Sequence, residues 1–261
     1  MQTIRPPAVA GMFYPADAQE LHRELQQLLG AAAAGAQPPK ALIVPHAGYV
    51  YSGPVAASAY AQLIPLRDRI RRVVLLGPAH RVAFRGLAAS SASGFRTPLG
   101  DIPLDTAALV PLLELPQVRV LDEAHAQEHS LEVQLPFLQE TLGEFRLLPL
   151  VVGDATYAEV AEVLEQVWGG AETLILISSD LSHYHDYATA QRLDRATSNA
   201  IATLHPERID YDHACGRTPV GGLLLAARKH GLHAEVLDLR NSGDTAGPRD
   251  RVVGYGAYAL H

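Results

Sequence analysis

Short apolar runs recur along the chain, and most are followed closely by Gly, Pro, His or Asp before an amphipathic stretch begins. Continuous aliphatic and β-branched runs of this length are typical of strands that are buried on both faces of a sheet. Strands that alternate with helices indicate an α/β fold. We therefore predict strands over residues 41–44, 73–76, 145–152, 174–177, 234–239 and 252–260.

The amphipathic stretches between these runs predict helices that cover both faces of the sheet. The pattern of residues 86–104 instead predicts a β-hairpin or extended insert. We therefore predict a mixed, mostly parallel sheet. The length of 261 residues suits one α/β domain. We predict a single domain over residues 1–261, with a surface loop at 31–39. The predicted helices cover residues 18–29, 54–63, 106–113, 130–142, 157–168, 188–204 and 220–230.

Composition and charge exclude several classes of function. The formal net charge is −7, without a basic stripe, so we expect no nucleic-acid partner. No apolar run reaches the roughly 20 residues that a membrane span needs, so we expect no membrane partner. A single cysteine, Cys215, cannot form an intramolecular disulfide and suits a reducing compartment. Because no targeting segment is visible, we expect a cytoplasmic location.

Polar residues follow three of the predicted strands at equivalent places. His46 comes after the run 41–44, His80 after 73–76, and both Asp180 and His183 after 174–177. In open α/β sheets, ligands bind outside the carboxyl ends of the strands. One histidine in such a place is usually structural, but three strands delivering histidine or carboxylate to one edge predict a shared polar site.

Two further segments carry candidate residues. Ser130 and Glu132 begin a predicted helix, where a serine cap and a carboxylate near the positive helix end are the expected roles. For the adjacent His129, a structural and a catalytic role stay equally open. Cys215 precedes another predicted helix, and a helix start lowers the pKa of a thiol. A thiolate there serves as a metal ligand or as a nucleophile.

Two imidazoles and one thiolate, from His46, His80 and Cys215, suit one transition metal. Such a set serves zinc or copper, and its thiolate favours copper or iron over magnesium. Asp180 and His183 would then move protons or orient ligands. Arg217 and Arg249 are candidates for contact with an anionic ligand. A rival hypothesis is nucleophilic catalysis, with Cys215 as thiolate, His129 or His183 as base and Asp180 as orienting group.

Several segments together resemble the Memo family, whose prokaryotic members are also called AmmeMemoRadiSam system protein B. They occur in the family's order from Arg5 to the closing strand, nearly the full length of the chain. The resemblance implies a fold similar to the LigB-type class III extradiol dioxygenases. The segments are residues 5–15, 45–49, 51–53, 76–80, 128–132, 178–183 and 215–217.

The resemblance also implies a site. The family's metal ligands, two histidines and a cysteine, match His46, His80 and Cys215, and its nearby aspartate and histidine match Asp180 and His183. The related dioxygenases have a glutamate as third ligand, so Cys215 argues against transferring ring cleavage to this chain.

The function that the resemblance implies is a redox or oxygenase-like protein dependent on non-haem iron or copper. Zinc is a third option for the metal, and O2 or a small molecule would be the substrate. The implied system partners are an AMMECR1-type protein and a radical SAM enzyme. Two alternatives stay open: a non-catalytic module that binds a metal or a partner, and a thiol hydrolase dependent on Cys215.

Overall fold

The computed structural model describes residues 3–33, 35 and 37–261. Its strands are β1 (Ile4–Arg5), β2 (Ala41–Val44), β3 (Arg72–Pro78), β4 (Leu87–Ala89), β5 (Gly94–Thr97), β6 (Gly100–Pro103), β7 (Val118–Val120), β8 (Arg146–Val152), β9 (Thr173–Ser178), β10 (His183–His185), β11 (Ala234–Asn241) and β12 (Val252–Leu260). Its α-helices are α1 (Ala18–Gly30), α2 (Tyr49–Tyr60), α3 (Thr106–Leu112), α4 (Asp122–Ala126), α5 (Leu135–Thr141), α6 (Tyr157–Gln166), α7 (Tyr187–Ala202) and α8 (Arg217–Lys229).

The main sheet is mixed. Its strand order is β10-β12-β2-β9-β3-β8-β4-β7, and β11 pairs with β12. The four central strands β2, β9, β3 and β8 are parallel, whereas β12 pairs antiparallel with β2 and β4 pairs antiparallel with β8. Strands β5 and β6 form an antiparallel hairpin within a smaller sheet that includes β1. The predicted α/β fold is confirmed, and the parallel part of the sheet is its centre.

Successive residues of the central strands point into two separate cores. Val73 and Leu75 of β3 pack into the core beneath α1, α2 and α5. Val74 and Leu76 pack into the opposite core beneath α6, α7 and α8. This alternation is the two-residue period of a strand, and burial on both faces explains why the sequence of β3 is continuously apolar.

Local sequence explains where the helices begin. Helix α1 starts after Asp17, whose carboxylate accepts from the backbone N–H groups of Gln19 and Glu20. Helix α6 starts with a capping box, in which Thr156 and Glu159 each bond the other's backbone. These caps satisfy N–H groups that have no partner inside the helix.

All six predicted strands and the hairpin in residues 86–104 are present. Helix α2 begins at Tyr49, earlier than predicted, and it contains Pro54, whose missing N–H leaves one intrahelical hydrogen bond unmade. The predicted helix 130–142 is shorter: a 3₁₀ turn at Glu132–Gln134 leads into α5. The predicted loop 31–39 and the predicted domain 1–261 both include positions outside the described residues. Among the described residues, no helix combines the length and apolar character that crossing a bilayer requires.

Glu132 lies in the first turn of the 3₁₀ segment, as predicted, but the predicted side-chain capping by Ser130 and Glu132 is wrong. The hydroxyl of Ser130 donates to the backbone carbonyl of Pro78 at 2.9 Å, and neither side chain caps the helix. Tertiary contacts replace the local ones, because both side chains are buried against other segments.

Glu132 holds the N-terminal arm, residues 5–17, against the rest of the domain. Its carboxylate accepts from the guanidinium of Arg5 at 2.8 Å, from the backbone N–H groups of Ala8 and Val9 at 2.7 and 2.8 Å, and from the Tyr14 hydroxyl at 2.8 Å. A buried ion pair is stable only when its remaining hydrogen-bonding groups also find partners. Here the arm supplies the partners of one carboxylate.

We expect Glu132→Gln to destabilise the fold by about 3 kcal/mol, because it leaves the buried Arg5 charge unpaired and places an amide N–H among donors. Urea denaturation followed by circular dichroism measures the change. The matched control is Asp101→Asn, which breaks the exposed Arg96–Asp101 pair and should change little. Equal stability of wild type and Glu132→Gln would contradict the anchoring role.

His125 gives the fold a dependence on pH. Its side chain is 2% exposed, and Nε2 lies 2.9 Å from the Ala88 carbonyl. Burial is the main cause that lowers the pKa of His125 from 6.5 to about 4. Since the unfolded chain binds this proton more readily, stability is retained above pH 6.5 and lost as pH falls towards 4.

The stability lost through His125 should be about 3 kcal/mol across this pH range, by the usual conversion of pKa shifts. The variant His125→Gln does not titrate, so its free energy of unfolding should fall less than that of wild type between pH 7 and pH 4. Urea midpoints at several pH values test the difference between the two proteins. If the free energy of unfolding fell equally with pH in both proteins, the predicted contribution of His125 would be excluded.

Candidate metal centre

His46 and His80 lie at the same edge of the sheet. Each follows a strand, and a third strand separates these two strands. His46 follows β2, His80 follows β3, and β9 lies between these strands. Together with Cys215, they place three donor atoms within 4.8 Å of one another. His46 Nε2 lies 3.4 Å from Cys215 Sγ. Two imidazoles and one sulfur are donors that transition metals accept.

The neighbours of Ser178 determine which nitrogen of His46 faces this cluster. Ser178 Oγ lies 2.6 Å from the Ser130 carbonyl, which only accepts, so the hydroxyl proton points there. The same Oγ therefore accepts from His46 Nδ1 and from Gln134 Nε2, both at 2.8 Å. The proton of neutral His46 then lies on Nδ1, and the Nε2 lone pair faces Cys215.

Glu128 determines which ring nitrogen of His80 carries the proton. Its carboxylate lies 2.9 Å from His80 Nδ1 and accepts the backbone N–H of His80 at 2.6 Å. Burial acts to raise the pKa of Glu128, but the bonds from His80 outweigh it and lower that pKa to about 2. The ionised carboxylate holds a proton on Nδ1 and leaves Nε2 of His80 free.

A second group of donors, His80, Glu128 and His129, also lies within 4.8 Å. The Glu128 carboxylate already accepts from His80 and from the backbone N–H groups of His129 and Ser130. Because its oxygens are occupied in this way, Glu128 orients His80. The group of His46, His80 and Cys215 therefore has the more available donor atoms.

Cys215 lies just before α8, as predicted, but its pKa differs from the expectation. Burial, followed by the nearby Asp180 carboxylate, raises the pKa of the Cys215 thiol well above its ordinary value. The helix start does not overcome the loss of solvent around sulfur. The expected low pKa is therefore wrong for the protein without a cation. Backbone N–H of Asp180 lies 3.3 Å from Sγ and helps to position it.

Asp180 contacts both His46 and Cys215. Its carboxylate accepts the backbone N–H of His46 at 2.7 Å and lies 4.0 Å from His46 Nε2. Burial raises the pKa of Asp180, although the bond from His46 acts in the opposite direction. The carboxylate is thus next to the donor atoms and holds a proton more readily than an exposed aspartate.

His129 packs its ring against both histidines of the cluster. Its ring centroid is 4.6 Å from that of His80 in a stacked arrangement and 5.5 Å from that of His46. Phe13 of the arm covers it at 4.9 Å. Burial, and then the neighbouring His80, lower the pKa of His129, so the neutral imidazole predominates near neutral pH.

His183 lies on the short strand β10, beside the cluster. It interacts electrostatically with His46 and Asp180, but its nearest ring neighbour is Tyr184 at 5.8 Å between centroids. Tyr184 has a φ of 63°, a left-handed conformation that is uncommon for a bulky residue. Of the six predicted site residues, His183 thus has the least direct contact with the donors.

Sequence reasoning missed Gln134. Its amide donates to Ser178 Oγ and to the Pro45 carbonyl, and it accepts from the Tyr60 hydroxyl at 2.6 Å. Gln134 is 1% exposed, and Leu131, Val133 and Leu135 surround it in the sequence. A polar residue inside an apolar stretch was the available signal, because a buried amide needs hydrogen-bond partners.

Comparison with known proteins agrees with this geometry. The chain matches the Memo-like protein family over residues 5–259. It is 38% identical to the MEMO1 family protein of Aquifex aeolicus and 37% identical to that of Ignicoccus hospitalis, with 97% of each chain covered. The chain belongs to the Memo family. The match includes every segment on which the predicted resemblance rested, so that resemblance is confirmed.

A solved structure supports the fold of this Memo family chain. The crystal structure of the uncharacterized protein JW3007 from Escherichia coli K12 superposes with a TM-score of 0.57 at 12% sequence identity. The match covers 85% of the present chain and 100% of the other. At this identity the likeness concerns the fold alone.

The hydrogen bonds around both histidines lead to a spectroscopic expectation. Long-range ¹H–¹⁵N spectra of the metal-free Memo family chain should show His46 and His80 protonated on Nδ1, because Ser178 and Glu128 accept there. In Ser178→Ala, the preference of His46 for this tautomer should weaken while that of His80 persists. Nε2-protonated rings in wild type would disprove the arrangement.

Proposed function

We propose that this Memo family protein binds one transition metal through His46, His80 and Cys215 and uses it in redox chemistry. Iron or copper is favoured, and zinc is the alternative. The observation that carries the proposal is the convergence of one nitrogen from each imidazole and one sulfur within 4.8 Å. Both Nδ1 atoms face hydrogen-bond acceptors, which is the arrangement that metal-binding histidines adopt.

The spacing of the donors fits a shared ion. A nitrogen and a sulfur bound to the same tetrahedral metal lie about 3.5 Å apart, given ordinary bond lengths. His46 Nε2 and Cys215 Sγ are 3.4 Å apart. Burial raises the pKa of the Cys215 thiol, so a bound cation would have to displace its proton to gain a thiolate ligand. Three protein ligands leave positions for a small molecule.

The surrounding residues of the proposed site would manage protons. Bound iron or copper would supply one-electron redox chemistry and an open position for O2 or a small substrate. Asp180 lies next to His46 and holds a proton readily, whereas His129 presents a neutral imidazole that accepts one. His183 adds a second imidazole on the Asp180 side. Phe13 shields His129 from water.

Two alternatives use the same residues. A thiol hydrolase is supported by the Cys215–His46 pair at 3.4 Å, which resembles a nucleophile beside its base. A non-catalytic metal or partner-binding module would share the ligands without turnover.

The proposal includes a cytoplasmic location, which the single cysteine supports. The AMMECR1-type protein and the radical SAM enzyme stay predicted partners.

Metal affinity should fall in a defined order among variants. Ser178→Ala removes no donor atom but deletes the hydrogen bonds of Ser178 to His46, Ser130 and Gln134, and it should weaken binding about 10- to 100-fold. Cys215→Ser and His80→Ala each remove a donor and should weaken it further. Competition with a chromophoric chelator for Fe(II), Cu(II) and Zn(II) measures each affinity. The matched control is His22→Ala, an exposed histidine that should have no effect.

Three results separate the candidate functions. Failure of the wild type to bind iron, copper or zinc would overturn the metal proposal. Steady oxygen consumption with added reductants, lost in Cys215→Ser, would favour the redox protein over the binding module. Alkylation of Cys215 that persists at saturating metal would favour the hydrolase, because a coordinated thiolate should be protected.

A further inference from the structure

A buried aspartate, Asp194, contacts the segment that carries His183. Asp194 lies in helix α7, and it is 3% exposed. Its Oδ1 accepts the backbone N–H of Ser182 at 3.0 Å. Ser182 directly precedes His183 and is itself fully buried. The carboxylate of Asp194 is therefore bonded one residue away from an imidazole of the proposed site.

Strand β12 bonds the same segment through Gly254. Gly254 accepts the N–H of Leu181 and donates its own N–H to the Ser182 carbonyl, both at 2.8 Å. A Cβ on Gly254 would come within 2.1 Å of the Asp194 carboxylate, so a side chain there would displace the carboxylate. Glycine at this position allows the strand to lie against Asp194 while it bonds residues 181 and 182. Helix α7 and strand β12 thus hold the segment together.

The segment follows a strained path immediately after His183. Tyr184 has a φ of 63°, in the left-handed region that bulky residues rarely adopt. Its side chain is 63% exposed, so burial of the ring does not compensate for the strain. The pairing of β10 with β12 also shifts register between His183 and His185. Strained residues persist only where surrounding contacts fix the backbone, and the bond from Ser182 to Asp194 is such a contact.

The surroundings of Asp194 leave it ionised at neutral pH. Burial raises the pKa of Asp194 to about 6, although the bond from Ser182 and two nearby histidines act to lower that pKa. Because an ionised acceptor forms a stronger hydrogen bond than a neutral one, the bond from Ser182 should weaken when Asp194 gains a proton. The charged or titratable groups around Asp194 are His185, His213, Tyr258, Arg195, Arg240 and Asp244.

We infer that Asp194 is a positioning residue for His183: its carboxylate holds residues 181–184 in their strained path and so keeps the imidazole near Asp180. An aspartate that only satisfied one buried amide would show no energetic coupling to Tyr184. The use of His183 in proton transfer rests on the proposed function. The placement of His183 does not require a metal, so the two ideas fail separately.

Amide hydrogen exchange of the metal-free protein, followed by NMR, tests the inference at Leu181 and Gly254. Their N–H groups bond within the segment but not to Asp194. We expect Asp194→Ala to lower the protection of both amides about tenfold, the factor that corresponds to one lost hydrogen bond. Glycine at position 184 tolerates the left-handed φ, so Asp194→Ala combined with Tyr184→Gly should recover most of the protection.

The pH profile of Ser182 exchange supplies a second readout. In wild type, the protection of the Ser182 amide should fall as pH drops from 8 to 5, because Asp194 becomes protonated and accepts more weakly. In Asp194→Asn the acceptor does not titrate, so the profile should be flat. The matched control is Asp186→Asn, which removes a charge from the start of the same helix but keeps the cap on Thr189. Its profile should follow wild type.

Three results would each overturn the inference: unchanged protection of Leu181 and Gly254 in Asp194→Ala, no recovery with Tyr184→Gly, or identical pH profiles of wild type and Asp194→Asn. Thermal melting identifies a variant that does not fold. If Asp194→Ala fails to fold, the profile of Asp194→Asn decides, because asparagine has nearly the same shape as aspartate.

Measurements on loaded protein separate this inference from the metal proposal. Asp194→Ala removes no metal ligand, so its affinity in chelator competition should equal that of wild type. Its oxygen consumption should fall about 10- to 100-fold, since a misplaced catalytic group costs this much. If wild type consumes no oxygen, the redox proposal fails, and the exchange results still decide the role of Asp194.

Discussion

The parallel pairing of β2, β9 and β3 is the constraint on which the candidate site depends. Val44 is in register with Ser178, and Leu76 with Ile177, so the three strands end at one edge. Because all three run in the same direction, the residues that follow them meet there. Burial of both faces of these strands makes a shift in register costly, since it would move apolar side chains away from their cores.

A second layer of contacts supports the edge from outside the sheet. The segment that contains Glu128, His129 and Glu132 lies between the strand ends and the N-terminal arm. Glu128 faces His80, whereas Glu132 holds the arm. Phe13 then packs on His129. One short segment thus connects arm stability to the surroundings of His80.

Sequence patterns predicted the sheet and its edge because both rest on local regularities. Continuous apolar runs indicate strands buried on two faces, and strand ends indicate where polar residues gather. The roles of Ser130 and Glu132 escaped prediction because their partners, such as Pro78 and Arg5, are distant in sequence. The pKa of Cys215 escaped for a related reason: burial in the folded protein outweighs the local effect of a helix start.

Hydrogen bonds that position both histidine donors of the cluster involve one segment, residues 128–134. His46 and Cys215 are both bonded to residues that follow or end β9, through Ser178 and Asp180. His80 is instead held by Glu128, whose segment is fastened by the arm. Ser130 and Gln134 of this segment also bond Ser178, so movement of the arm would disturb the supports of both His46 and His80.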